Sequence, residues 1–190
     1  MILAPEKTLI AGSVYRFDLE TYNRMIDAGI LTTRDKVELI RGEIVNVAAM
    51  GDKHIFWTGV YTSRLVQHYS DEAWILSQCP VQMLSDSEPE PDFALLKLPA
   101  DQYEERKPQA EDVLLIIEVS NSSLAYDRSE KLSLYAEAGI PEVWIRNLQD
   151  DVLEVYREPM GDRYGFHSTL LPGEEATPLF SQTPFKWSRD

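Results

Sequence analysis

Apolar residues recur along this chain with two periods, and each change of period marks an element boundary. In FDLETYNRMIDAGI, residues 17–30, Leu19, Tyr22, Met25 and Ile26 fall at helical spacing and Gly29 suits a C-terminal stop. The spacing predicts a helix over 17–30. In KVELIRGEIVNVAA the period shortens to two. Val37 and Leu39 alternate with Glu38 and Ile40, Arg41-Gly42 suits a two-residue turn, and Ile44, Val45 and Val47 continue beyond it, the pattern of a β-hairpin. Residues 52–70 return to helical spacing, with Phe56, Val60, Tyr61, Leu65 and Tyr69 at three- and four-residue steps and Asp52 as candidate N-cap.

Strands are predicted at 73–77, 81–84 and 93–96, followed by a polar surface loop over 98–112 that holds two prolines. VLLIIEVS then supplies a near-continuous apolar run at 113–119, the pattern of a strand covered on both faces. The next segment, YDRSEKLSLYAEAGIPEVWI, reads as a helix followed by a strand at 143–146. Asp127 and Glu130 are placed for an Asp-x-x-Glu capping box, and Gly139 with Pro141 for the stop. Strand, helix and strand in about 35 residues form a βαβ crossover with parallel neighbours. Residues 152–168 read as a last antiparallel hairpin. The pattern predicts an α/β fold with a mixed central sheet flanked by helices, preceded by an N-terminal helix and hairpin, in one domain over 1–190.

Composition narrows the picture. With 190 residues, 44% of them hydrophobic, the chain holds enough apolar material for a real core. The single cysteine, Cys79, excludes an internal disulfide and fits a reducing compartment. The start, MILAPEKTLIAGS, lacks the basic region and long apolar core of a signal peptide, and no apolar run reaches membrane-span length. A cytoplasmic protein without a membrane partner is the expectation. A net charge of −14 argues against broad adhesion to nucleic acid or anionic lipid, while leaving room for locally gathered basic residues.

Against that background, four charged residues stand in awkward places. Asp92 opens a strand directly after Pro91, Glu118 ends the most apolar strand, Lys131 sits in the following helix, and Glu38 lies between apolar hairpin residues. Ligands gather near the carboxyl ends of parallel strands. Mg²⁺ accepts one or two carboxylates together with waters, so Asp92 and Glu118, joined by the backbone carbonyl of Val119, form a candidate set. A lysine beside such a metal would stabilise charge developing on a phosphodiester. Each residue also has an ordinary reading: Asp92 as a turn residue, Glu118 as a solvent-facing or ion-paired strand end, Lys131 as a solvated helix charge, Glu38 as the exposed member of an alternation. His54 and His68 read as structural, and Tyr135 as core packing.

The ordered pieces VELIRGEIV, His54 at the head of a long helix, EPEPDFALL, LLIIEVSNSS, YDRSEKLSLYAEAGIPEVWI and LEVYR together resemble the Uma family of restriction-endonuclease-like proteins. That family lies within the PD-(D/E)XK nuclease superfamily. The resemblance runs from about Phe17 to Tyr156. It implies a restriction-endonuclease-like fold and a metal-dependent endonuclease using Mg²⁺ or Mn²⁺ on nucleic acid, DNA above all. Asp92 would match the Asp of the PD element, Glu118 the acidic residue of (D/E)XK, and Glu38 the additional N-terminal acid. The superfamily lysine would fall at Ser120, a departure; in the Uma-like pattern its role passes to Lys131 within Asp127-x-x-x-Lys131. The catalytic set implied is Glu38, Asp92, Glu118 and Lys131. Restriction-like nucleases often act as dimers, so a homodimer is expected. Two rivals stand beside this reading: a nuclease-fold protein with a degenerate site serving as a binding or assembly module, and a metal-dependent enzyme acting on another substrate. A basic rim drawn from Arg34, Lys36, Lys53, Arg128 or Arg146 would favour nucleic acid.

Overall fold

The computed structural model of the chain describes residues 13–47 and 49–189; most of the N-terminal stretch read for a targeting signal lies outside them. In order, the elements are α1 (Leu19–Asp27), β1 (Val37–Ile40), β2 (Glu43–Asn46), α2 (Asp52–Tyr69), β3 (Trp74–Ser77), β4 (Phe93–Leu96) and β5 (Val113–Ser120). A helix follows in three parts, α3 (Leu124–Tyr126), a π-helical turn (Asp127–Lys131) and α4 (Leu132–Glu137), and then β6 (Glu142–Asn147), β7 (Val152–Met160) and β8 (Arg163–Leu170).

Strands β3 to β8 form one mixed sheet in sequence order. All neighbours are antiparallel except β5 and β6, the pair joined through the helix, as a βαβ unit requires. Alternation along the strands splits the core into two layers. Leu115, Ile117 and Val119 of β5 pack with Trp57, Tyr61 and Leu65 of α2 and with Phe185 and Trp187 near the C-terminus. Ile116 of the same strand packs on the other face with Leu134 and Tyr135 of α4 and Ile40 of β1. Glu118, two residues beyond Ile116, therefore shares the α4-facing side.

The β1–β2 hairpin is built for its position. Arg41 and Gly42 both have positive φ, 50° and 75°, which suits a two-residue turn whose twist matches the strands. A Cβ on Gly42 would lie 2.6 Å from the Arg16 side chain, so both conformation and space demand glycine there. The turn pairs Glu38 with Val45 and Leu39 with Ile44. Glu88 N–H donates to Leu39 O at 2.7 Å and Gly42 N–H to Asp86 O at 2.8 Å, which locks the hairpin onto the 85–89 segment.

Three expectations need correction. Residues 81–84 form no strand; Gln82 makes a single bridge to Gln109, and Met83 N–H donates to Ser87 O, because the segment turns back to receive the hairpin. The helix after β5 begins at Leu124, so Asp127 lies inside it and is not its cap. Gly51, not Asp52, is the N-cap of α2, without a side-chain hydrogen bond. Trp144, open in the sequence between core and interface, is fully buried, and Trp74 stacks on Tyr103 with 5.0 Å between ring centroids. Among the described residues no helix is long and apolar enough to cross a membrane.

Candidate active site

The carboxyl end of β5, the entrance to β4, the inner face of β1 and the first turns of the helix converge on one acidic centre. Glu118 and Glu38 are each 3% exposed, and Lys131, 7% exposed, lies between them. Lys131 Nζ is 3.2 Å from Glu118 Oε1 and 3.3 Å from Glu38 Oε1. Tyr135 OH donates to the same Glu118 oxygen at 2.6 Å. Glu118 Oε2 faces Asp92, whose backbone N–H approaches it at 3.4 Å. Asp92 in turn accepts at Oδ2 from Val119 N–H at 2.8 Å and at Oδ1 from His54 Nε2, also at 2.8 Å.

Local sequence explains each position. Pro89 and Pro91 hold the chain extended into β4, so Asp92 arrives beside the end of β5. His54, on the first turn of α2, reaches across to Asp92, a long-range pairing that no local pattern announces. The π-helical turn carries Lys131 at its end; Leu132 N–H donates back to Asp127 O, one residue further than α-helical bonding allows. Widening the turn gives its residues different partners. Asp127 turns to the strand end, accepting from Ser120 Oγ at 2.6 Å and Ser123 Oγ at 2.7 Å. Lys131 and Tyr135 both turn to Glu118. Ser120, at the position where the resemblance expects lysine, is fully buried and supports Asp127.

Burial sets the electrostatics. Removal from water pushes the Glu118 carboxyl up to about 8, against the pull of Lys131, and the charges of Asp127 and Asp92 push the same way. Lys131 is raised despite its burial, because Glu118 and then Glu38 hold its charge. His54 is raised by its hydrogen bond to Asp92, while its Nδ1 is buried without a hydrogen-bond partner. Burial and the neighbouring Glu118 charge hold the Tyr135 hydroxyl well above its usual range, so Tyr135 acts as a donor. Tyr135→Phe removes one of the two donors on Glu118 Oε1, leaving Lys131, and is expected to cost about 1 kcal/mol, read as a lower urea midpoint with an unchanged m-value.

Among the described residues no three His, Cys, Asp or Glu side chains gather as a metal cluster. The donors present suit a sparser arrangement. Asp92 and Glu118 are hard oxygen donors whose charges already repel, and one or two carboxylates with waters are what a divalent ion such as Mg²⁺ accepts. In donor chemistry these two carboxylates suit the group that the resemblance implies.

All four residues singled out by sequence, Glu38, Asp92, Glu118 and Lys131, meet at this centre. Sequence reasoning missed His54 and Tyr135 as partners of Asp92 and Glu118. Of the basic rim candidates, Arg146 is buried and Arg128 is bound to Glu154 at 2.9 Å, whereas Arg34, Lys36 and Lys53 are exposed.

Residues 19–187 match the model of the Uma2 family, described as "Putative restriction endonuclease". A crystal structure of "a putative nuclease belonging to DUF820" from Anabaena variabilis is similar in fold, with a TM-score of 0.69 and 16% identity over 90% of this chain and 95% of that one. No curated protein matches the chain.

Proposed function

The chain belongs to the Uma2 family of restriction-endonuclease-like proteins, and we propose that it is a metal-dependent endonuclease that hydrolyses phosphodiester bonds, with DNA as substrate. The observation that carries this reading is the meeting of Asp92, Glu118 and Lys131, from two strands and a helix, at the carboxyl end of β5. Asp92 and Glu118, with the carbonyl of Val119, would hold Mg²⁺ or Mn²⁺. That ion supplies Lewis acidity, neutralising phosphate charge and making hydroxide accessible near neutral pH.

The chain's own residues supply position and charge. In hydrolysis a water oxygen bonds to phosphorus, the P–O ester bond breaks, and negative charge grows on the phosphoryl oxygens. Lys131 offers its ammonium to that charge from a site where little water screens it. Glu38, 3.3 Å from Nζ, keeps the ammonium over the strand end. Tyr135 holds Glu118 Oε1, which orients Oε2 towards Asp92, and His54 holds Asp92 Oδ1. Position, not sequence address, is what charge stabilisation needs, so Lys131 serves where Ser120 cannot.

A specific observation favours one rival. Both oxygens of Asp92 and both of Glu118 already have protein partners, as in a network kept for structure alone. That is the binding-module reading, and metal binding separates the two. Without a divalent ion, Glu118 has a folded-state value of about 8, above its ordinary 4.5. Its contribution to stability is therefore fully present below about pH 4.5 and is lost as pH rises towards 8. A cation must displace that proton, so its stabilising effect grows with pH. Mg²⁺ is expected to raise Tm more at about pH 8.5 than at about pH 6, and to do little to Asp92→Ala. Hydrolysis of bis(p-nitrophenyl) phosphate in Mg²⁺ or Mn²⁺ tests the reaction itself. No Tm change with either ion and no turnover would leave the binding-module reading standing.

A further inference from the structure

On the opposite face of the sheet end from Lys131 lies a second concave surface, an open groove of about 980 Å³. Its walls come from the first turns of α2, the end of β6 with the loop after it, and the C-terminal segment. Lys53, Arg146, Lys186 and Arg189 line it, against the carboxylates of Asp52 and Asp151. That gathers cations on a chain whose net charge is −14.

The cations are interleaved with aromatic rings. Phe56, 46% exposed, lines the groove, and the Arg189 guanidinium carbon stands 4.5 Å from its ring centroid. Arg146 is sandwiched between Trp57 and Trp187, 4.5 and 4.9 Å from their centroids. It is 1% exposed. Its terminal nitrogens are fixed by Asn147 O, Val152 O and Asp151, but its Nε–H has no hydrogen-bond partner. Arg146 is thus a fixed part of the groove's wall, and the exposed cations of the lining are Lys53, Lys186 and Arg189.

The groove and the acidic centre share two elements. The first turn of α2 carries Lys53 into the groove and His54 to Asp92. Arg146 pairs across the sheet with Val119, the residue after Glu118. A chain lying in the groove would pass around the carboxyl ends of β5 and β6 to reach the acids.

We infer that this groove binds a single-stranded nucleic acid segment, its phosphates on Lys53 and Lys186 and a base stacked against the outer side of the Phe56–Arg189 pair. A cationic groove with exposed ring and guanidinium faces is the combination that holds unpaired strands, because every base has a π-face to stack. In a duplex the bases are stacked on one another, and the groove would meet only its backbone. The inference rests on the nuclease reading for its biological sense and extends it to the form of the substrate, a frayed or single-stranded one.

The test is fluorescence anisotropy with wild-type protein in chelator, using a labelled oligothymidylate of about 12 nucleotides and a blunt duplex of the same length. Oligothymidylate is expected to bind on the order of tenfold more tightly than duplex, and more weakly as salt rises. The double variant Phe56→Ala, Arg189→Ala alters exposed side chains only, and its fold is checked by circular dichroism. It is expected to weaken oligothymidylate binding by roughly tenfold or more while leaving duplex binding little changed. Equal wild-type affinity for the two probes, or unchanged oligothymidylate binding by the double variant, overturns the inference. Cleavage assays in Mg²⁺ keep the two proposals apart. Cleavage with groove-independent binding removes the groove alone; groove-dependent binding without cleavage removes the nuclease reading alone.

Discussion

Asp92→Asn is expected to fold as the wild type does and to lose about 10³-fold or more in cleavage rate. The amide keeps an oxygen to accept from Val119 N–H, which Asp92 binds at 2.8 Å, and it nearly preserves volume. What it removes is the charge and the second oxygen, which accepts from His54 Nε2. One of two carboxylates facing the proposed cation becomes neutral, and the charge stabilisation a bound metal provides, several kcal/mol, falls with the ion's occupancy. Each 1.4 kcal/mol is a factor of about ten in rate. Asp92→Ala adds a structural fault, since it strands the buried Val119 N–H at a cost of about 1–3 kcal/mol. Comparing kcat/KM and urea midpoints for the two variants separates chemistry from folding. An Asp92→Asn protein that cleaves within about tenfold of wild type would remove Asp92 from the reaction.

Lys131→Met carries the other large effect, and here stability and activity fall together. The side chains match closely in length, so packing along α3–α4 survives, but the cation between Glu118 and Glu38 is gone. Two carboxylates, each 3% exposed, are left facing one another. Breaking a buried ion pair by removing one partner costs about 3–5 kcal/mol. The loss depends on pH with a definite sign. Lys131 is the charge that lowers Glu118, so its removal raises a carboxyl already pushed up to about 8. A group raised in the folded state loses its stabilising contribution as pH increases, so the variant is least compromised near pH 5 and most compromised above pH 8. Cleavage is expected to fall by about 10²–10³-fold even where the variant is folded, because the ammonium aimed at the reacting phosphate is absent. A variant as stable as wild type at pH 8 would contradict the coupling described for this cluster.

These two residues also show where sequence is and is not a sufficient guide. The hairpin, the long α2 helix and the strand–helix–strand unit are legible because their causes are local: Arg41-Gly42 at the turn, the three- and four-residue spacing of Val60, Tyr61, Leu65 and Tyr69, and the uninterrupted apolar run of β5. Once β5 and its following helix are recognised, the side of the sheet that Glu118 faces follows from alternation, and Lys131 is within reach. The capping role assigned to Asp127 fails because Asn121-Ser122-Ser123 starts the helix earlier, which turns Asp127 inward to the hydroxyls of Ser120 and Ser123. The π-helical turn is invisible in a spacing that suits an α-helix equally well. Residues 81–84 read as a strand because β-branched and apolar side chains also suit a buried turn segment. His54 is missed for a different reason: its partner Asp92 is brought to it only when α2 packs across the sheet. Tyr135 is both core packing and hydrogen-bond donor, and apolar periodicity reports only the first.

We propose that Asp92, Glu118 and Lys131 form a metal-dependent phosphodiesterase centre. Its most direct test is cleavage of supercoiled plasmid and circular single-stranded DNA by highly purified protein in Mg²⁺, in Mn²⁺ and in chelator, with Asp92→Asn and Lys131→Met prepared in parallel. Strand scission is expected from the wild type with either metal, none in chelator, and at most background scission from both variants. Equal scission by all three proteins, or wild-type scission unaffected by chelator, would contradict the proposal.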